Sequence, residues 1–276
     1  MKLDIKPASD FSMPELLYLM NLCFEEYVFP ISLNLIQFLT MLRKDSVDLY
    51  ESRVLLGDGA PVGMALIARR GWTSRLATMG IVKEARGIGA GTWLMGKVIE
   101  GARDRKDHEM VLEVIEQNEY AVRLYRKCGF ETMRRLIGMN YRDDREKING
   151  PPVPEVDLRK AGGLVSHYGL PDLPWQVAGE TIAMLNPPHR AFQKESAYAV
   201  TSSPDADYVA LYALMVEPSA RGKNQGMELL NALMQAYPGR TWHIPALMPE
   251  ELVPIFEKAG FEREDITQFQ MRIRLS

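Results

Sequence analysis

The stretch Arg86-Gly87-Ile88-Gly89-Ala90-Gly91 lies between a strand pattern at 77–82 and a helix pattern at 92–103, and it predicts a glycine-rich turn that joins them. The helix pattern rests on apolar residues at i, i+4 spacing. A strand that enters a helix through such a turn leaves several backbone N–H groups pointing at one spot, where the helix dipole adds positive potential. The turn therefore predicts an anion site suited to a diphosphate.

Glycines and one arginine shape this predicted site. The glycines let the main chain approach a ligand because they carry no Cβ. Arg86 can add a charge-assisted hydrogen bond to the anion. The residues expected to hold the anion are Arg86, Gly87, Ile88, Gly89, Ala90, Gly91 and Thr92.

A second motif follows at Asn118-Glu119-Tyr120-Ala121-Val122-Arg123-Leu124-Tyr125-Arg126-Lys127-Cys128-Gly129-Phe130. Asn118 and Tyr125 are seven positions apart, which is about two helical turns, so their side chains share one face of a helix. Gly129 is placed to end that helix. The sequence thus predicts a strand, a glycine turn, a helix, a further strand at 110–115 and a second helix.

The two motifs resemble those of the GNAT superfamily of acyl-CoA N-acyltransferases. Residues 86–91 match its Q/R-x-x-G-x-G/A pattern, and residues 118–130 match its N-x-x-A-x-x-L-Y-x-x-x-G-F pattern. The resemblance implies an α/β (α+β) fold with a mixed, mostly antiparallel sheet flanked by helices. The order of strand and helix patterns in residues 3–141 agrees with that fold.

Composition limits the function classes. The chain has 276 residues, 46% of them hydrophobic, and a net charge of −3, which argues against nucleic acid as the main partner. The longest apolar run, 208–216, is too short to cross a bilayer, so no membrane partner is expected. The start of the chain does not read as a signal peptide, and a cytoplasmic protein is expected. The four histidines lack metal-ligand spacing, so no metal is expected.

The second half of the chain repeats both motifs weakly. Residues 215–226 echo 80–91, and residues 255–261 echo 124–130, at nearly equal offsets. We therefore expect tandem GNAT-like domains at 1–142 and 157–276, joined by a charged and proline-rich linker at 143–156.

The second copy is changed where chemistry would take place. Three positions differ: Gly89 becomes Asn224, Asn118 becomes Pro249, and Tyr125 becomes Phe256. A phenylalanine has no proton to donate, and an asparagine adds a side chain where backbone would meet phosphate. We expect this degenerate copy to be a structural element or to shape the acceptor pocket, and not to be an independent enzyme.

The resemblance implies direct transfer of an acetyl group from acetyl-CoA, as co-substrate, to an amine. Tyr125 is the candidate acid that protonates the departing thiolate, and a half-buried structural tyrosine is the alternative. Asn118 is a candidate for binding the pantetheine arm, with helix N-capping as an equally supported role. The backbone of Gly80, Ile81 and Val82 corresponds to the family's strand position that pairs with the pantetheine amides.

Carboxylates are the candidates for the general base and for the acceptor-binding residues. Glu113, in the strand beside the expected cleft, is the candidate base, and the alternatives are Glu116 at the end of that strand and a water relay. Glu25 and Glu26 lie near the end of the first helix, where the family places acceptor-binding residues. The leading function is an N-acetyltransferase acting on a small-molecule primary amine. The alternatives are a non-catalytic acyl-CoA-binding or sensor protein and a protein N-acetyltransferase.

Overall fold

The computed structural model describes residues 1–25, 32–143 and 151–275. Its contacts divide the chain into two compact units, Met1–Met133 with Phe269–Ser276, and Arg134–Gln268. Each unit contains a mixed, mostly antiparallel sheet flanked by helices, so the predicted fold class is confirmed.

The first unit follows the predicted order of elements closely. Its helices are α1 (Met13–Phe24), α2 (Leu35–Lys44), α3 (Ala90–Asp104) and α4 (Glu119–Lys127). Its strands are β1 (Leu3–Pro7), β2 (Val47–Gly57), β3 (Ala60–Arg70), β4 (Thr73–Ile81) and β5 (Glu109–Ile115), and they are hydrogen-bonded in that order. The neighbours β4 and β5 are parallel, and the other pairs are antiparallel.

The sheet of the first unit is covered on both faces. Along β3, Ala65 and Ile67 pack with the apolar face of α3, while Met64 and Leu66 pack with α1 and α2. The alternation follows from the strand period of two. Among the helices in the described ranges, none is long and apolar enough to cross a membrane.

The second unit repeats this architecture in a smaller form. Its helices are α5 (Leu158–Tyr168), α6 (Gly179–Ala183), α7 (Gln225–Ala236) and α8 (Val253–Glu257). Its strands include β7 (Glu155–Val156), β8 (Arg190–Lys194), β9 (Ala197–Thr201), β10 (Tyr208–Val216) and β11 (Thr241–Pro249). Here β10 and β11 form the parallel pair, as β4 and β5 do in the first unit.

Two strands pass from one unit into the other along the chain. In β6 (Glu131–Arg142), the part from Arg134 onward belongs to the second unit and pairs with β11. In β12 (Glu262–Arg274), the part from Phe269 onward belongs to the first unit, next to β5. The sequence analysis placed the strand at 131–141 in the sheet of the first domain. In the structure, the C-terminal end of β12 takes that place next to β5. The boundaries 1–142, 143–156 and 157–276 stay a prediction about the repeats.

Both units carry the same irregularity in the strand that leads to the glycine turn. The register of β3 and β4 pairs Leu66 with Thr78 and Ile67 with Leu76, so Ala77 is an extra residue. In β10, Tyr212 is the extra residue against β9. Such a bulge kinks the strand and raises its twist. Beyond it, each parallel pair diverges, and this divergence opens the sheet at the candidate site.

Candidate functional site

The glycine turn has the predicted form. After β4 the chain makes a single turn of 3-10 helix at Lys83–Ala85, and α3 begins at Ala90. Gly87 and Gly89 have φ angles of 79° and 86°, in the left-handed region that L side chains rarely adopt. A Cβ placed on either glycine would meet no atom within 4 Å, so both Cα atoms face open space. These glycines therefore leave room for a ligand against the main chain.

The N-terminus of α3 is open to an anion. Ser12, Asn34 and Asn118 cap α1, α2 and α4 with their side chains, whereas among the described residues no side chain caps α3 at Gly89. The first N–H of this region that bonds within the helix is that of Trp93, to the carbonyl of Gly89. The preceding N–H groups have no intrahelical acceptor, and they lie at the positive end of the helix dipole. This end of α3 fits a diphosphate.

Gly91 lies where the predicted segments meet. A Cβ at this position would stand 3.0 Å from Leu124 Cδ1 in α4 and 4.0 Å from Ile81 Cγ1 at the end of β4. The first turn of α3 thus packs against both elements because this residue has no side chain. The structure brings the glycine turn, the end of β4 and the Tyr125 helix together within the first unit.

A gap between β4 and β5 adjoins this junction. Their parallel register pairs Thr73 with Glu109 and ends at Arg75 and Val111. The later residues of β4 continue to pair with β3 on their other side, up to Ile81. The two diverging strands present backbone N–H and C=O groups to the gap, as a main-chain partner such as an amide-bearing arm requires.

Gly80 has a packing role that the sequence did not reveal. A Cβ on Gly80 would lie 2.6 Å from Cys23 Cβ and 3.0 Å from Phe24 Cε2 at the end of α1. Real side chains do not approach so closely, so glycine is required for α1 to rest on β4. The residues predicted to bind the acceptor follow directly: Glu25 is an exposed residue after α1, and Glu26 lies outside the described residues.

Arg86 ties the turn to α1. Its Nε donates to the carbonyl of Ile81 at 2.9 Å, and its Nη2 donates to the carbonyl of Cys23 at 3.1 Å. Burial raises the pKa of the Cys23 thiol to about 12, against a smaller opposing effect of Arg86, so this cysteine is a neutral packing residue. These two bonds hold the guanidinium beside the glycine turn, and the anion contact of Arg86 stays a prediction.

The second motif forms a capped helix with Tyr125 on its inner face. Asn118 Oδ1 accepts a hydrogen bond from Ala121 N at 3.2 Å, so the N-cap role is realised. Tyr125 is 8% exposed, and its ring meets Phe130 edge-on at 5.9 Å between centroids. Gly129 ends the helix with a φ of 95°, as the sequence predicts. A pantetheine contact of Asn118 and an acid role for Tyr125 stay predictions.

Glu113 lies in a buried ion-pair cluster. Its Oε2 accepts from Arg75 Nε at 2.8 Å, and Asp45 Oδ2 accepts from Arg75 Nη1 at 3.2 Å. Burial alone would lower the pKa of Arg75, but the two carboxylates outweigh it and the pKa is raised. The Oε2 atom of Glu113 is therefore engaged by Arg75. An arginine in the middle of an apolar strand was the signal for such a partner, because a buried charge needs one.

Replacing Glu113 by Gln is expected to destabilise the first unit. The free energy of unfolding should fall by about 3 kcal/mol, which is at the low end for breaking a buried ion pair, because Asp45 still neutralises part of the charge on Arg75. Urea unfolding of the full chain measures it. Glu109→Gln on the same strand is the matched control, because Glu109 pairs with Arg272 at 3.5 Å and is partly exposed. That change should cost less than about 1 kcal/mol, and equal losses for the two variants would contradict the structural role.

The second unit reproduces the turn and alters the helix after it. Gly222 and Asn224 have φ angles of 77° and 61°, close to those of Gly87 and Gly89. Arg221 donates to the carbonyls of Val216 and Tyr168, as Arg86 does to Ile81 and Cys23. Asparagine tolerates the left-handed conformation, so the change from glycine keeps the backbone of the turn. In contrast, the nine residues of α4 are replaced by a short 3-10 turn and the five residues of α8.

Comparisons with known proteins agree with this fold. Residues 15–130 match the profile of the acetyltransferase (GNAT) family. A GCN5-related N-acetyltransferase from Sphaerobacter thermophilus is 15% identical with a TM-score of 0.67, over 99% of this chain and 96% of that one. A tandem GNAT protein from the clavulanic acid biosynthesis pathway is 16% identical with a TM-score of 0.66, over 100% and 99%. A putative acetyltransferase from Pyrococcus horikoshii is 17% identical with a TM-score of 0.65, over 99% and 89%. No curated protein matches the sequence.

Proposed function

We propose that this chain is an N-acetyltransferase, since residues 15–130 match the profile of the acetyltransferase (GNAT) family. It transfers the acetyl group of acetyl-CoA to a primary amine of a small molecule. The observation that carries the proposal is the junction at Gly91, where the uncapped end of α3, the diverging strands β4 and β5, and the Tyr125 helix meet.

Each part of the junction has a proposed task. The N–H groups of residues 90–92 bind the diphosphate, with Arg86 as an added donor. The backbone of Gly80, Ile81 and Val82 pairs with the pantetheine amides, and Asn118 supports the same arm. Tyr125 donates a proton to the departing sulfur. Acetyl-CoA supplies the acetyl group as a thioester, which the amine attacks directly.

The general base stays a proposal with two candidates, Glu113 and a water relay. One oxygen of Glu113 accepts a hydrogen bond from Arg75, and this contact favours the water relay. Among the described residues, no group of three His, Cys, Asp or Glu side chains is placed to hold a metal ion. Glu25 and Glu26 keep the proposed role of binding the acceptor.

The test of the proposal is release of free thiol from acetyl-CoA in the presence of an amine panel. We expect at least one small primary amine to accelerate the release, and we expect acetyl-CoA to raise the thermal unfolding midpoint. Stabilisation without turnover on any amine would favour the non-catalytic acyl-CoA-binding protein. This alternative is supported by the burial of Tyr125, which is only 8% exposed, as a purely structural tyrosine would be.

One acetyl-CoA is expected to bind per chain. Pro249 and Phe256 stand where the first unit has Asn118 and Tyr125, and the helix that carries Phe256 is shortened. Calorimetric titration should give a stoichiometry near one. Two equivalent sites would overturn the assignment of the second unit as degenerate.

A further inference from the structure

A cavity of about 380 Å³ lies within the second unit. It occupies the gap where β10 and β11 diverge after their last parallel pair, Ala210 with His243. The end of α5 and the helix α8 close its other sides. The volume falls in the range of about 300–1,000 Å³ that is typical of small-molecule sites.

The walls of this cavity are apolar because the polar cluster of the first unit has no equivalent there. When the parallel pair β4/β5 is superposed on β10/β11 by register, Arg75 of β4 corresponds to Ala210 of β10. On the second strand of each pair, Glu113 of β5 then corresponds to Pro245 of β11. The phenol of Tyr125 is likewise replaced by Phe256, which lines the cavity. The register of β11 with β6 shifts between Ile244 and Met248. Leu247, in this irregular segment, also lines the space.

Arg221 places a positively charged side chain at the wall of this apolar cavity. Among the described residues that line the cavity, Arg221 carries the charge, and no carboxylate accompanies it. Its Nε and Nη2 donate to the carbonyls of Val216 and Tyr168 at 3.2 Å and 2.6 Å, which fixes the guanidinium in place. A guanidinium has five N–H donors, so donors are left for an anionic group of a ligand.

We propose that this cavity binds an apolar carboxylic acid, with the hydrocarbon part between β10 and β11 and the carboxylate at Arg221. The site goes beyond the proposed acetyl transfer and involves residues of the second unit alone. An apolar chain satisfies the walls because they offer hydrophobic surface, and one fixed guanidinium suits one carboxylate. Pro249 replaces the helix-capping Asn118 of the first unit, and the helix α8 that follows is short. Pro245 and Pro249 also lack the backbone N–H that a strand would offer to an acyl-CoA, as proposed for the first unit.

The probe is decanoic acid, titrated into the full chain by calorimetry. We expect one decanoate per chain, a weaker interaction with uncharged 1-decanol, and no competition from saturating acetyl-CoA. Absence of decanoate binding would overturn the proposal. Loss of decanoate binding in saturating acetyl-CoA would also overturn it, because the two ligands would then share a site.

Variants locate the site within the second unit. Leu247→Glu places a carboxylate among the apolar walls and should weaken decanoate binding at least about tenfold. Arg221→Gln should weaken decanoate about tenfold and leave 1-decanol unchanged. Arg159→Gln makes the same charge change at an exposed position away from the cavity and should have no effect.

Folding of each variant is checked by its thermal unfolding midpoint. Should Leu247→Glu fail to fold, Ala213→Phe takes its place, since Ala213 lines the same cavity and the added ring fills it. Wild-type decanoate affinity in a folded wall variant would place the ligand elsewhere and refute the site. Equal effects of Arg221→Gln on decanoate and on 1-decanol would refute the role of the guanidinium.

Discussion

A Gly89→Asp variant is expected to bind acetyl-CoA about 1,000-fold more weakly than the wild type. The position precedes the uncapped first turn of α3, and a Cβ there points into open space where the diphosphate is proposed to lie. Two like charges about 4 Å apart near a protein surface repel by about 4 kcal/mol, which corresponds to about three orders of magnitude in affinity. Calorimetry with acetyl-CoA measures the change.

Gly89→Asn is the matched control for this experiment. The asparagine side chain has nearly the same size as aspartate and the same tolerance for the left-handed conformation, but it lacks the negative charge. The second unit shows that asparagine is compatible with this turn, since Asn224 has a φ of 61° at the equivalent position. We expect Gly89→Asn to fold normally and to lose far less affinity than Gly89→Asp. Equal affinities of Gly89→Asp and the wild type would place the diphosphate elsewhere.

Local features of the first unit were predictable from the sequence because they depend on few neighbouring residues. The strand, the glycine turn and α3 are adjacent in the chain, and Gly129 ends α4 with a positive φ as its position indicated. The fold class was predictable because the two motifs resemble those of a known family, and the order of strand and helix patterns agrees with that family's fold.

The partners of distant segments were not predictable in the same way. The strands β6 and β12 follow the same Gly-Phe motif in their two copies, so no local pattern specifies which sheet each one enters. Likewise, the acceptors of Arg86 include the Cys23 carbonyl, 63 residues away, and a backbone carbonyl has no signature in the sequence. The pairing of Glu113 with Arg75 was accessible only as the general rule that a buried charge requires a partner.

A Tyr125→Phe variant is expected to lower kcat by about 10²–10⁴-fold, the usual contribution of a general acid. The affinity for acetyl-CoA should barely change, because the proton is needed in the transition state and not in the bound ground state. In the second unit, a phenyl ring occupies the equivalent position and makes the equivalent aromatic contact. Phe256 meets Phe261 at 5.7 Å between ring centroids, as Tyr125 meets Phe130 at 5.9 Å. A loss of rate in the variant would therefore report on the hydroxyl group and not on packing.

The control for this variant is Tyr120→Phe on the same helix. Tyr120 is 84% exposed, so loss of its hydroxyl should leave kcat, the affinity for acetyl-CoA and stability unchanged. Both variants are compared with the wild type in kcat for the accepting amine and in Kd for acetyl-CoA. A kcat of Tyr125→Phe within a few fold of the wild type would remove Tyr125 from catalysis. The proton for the sulfur would then come from water, and the buried phenol would be a packing residue of α4, as its place in the apolar core also permits.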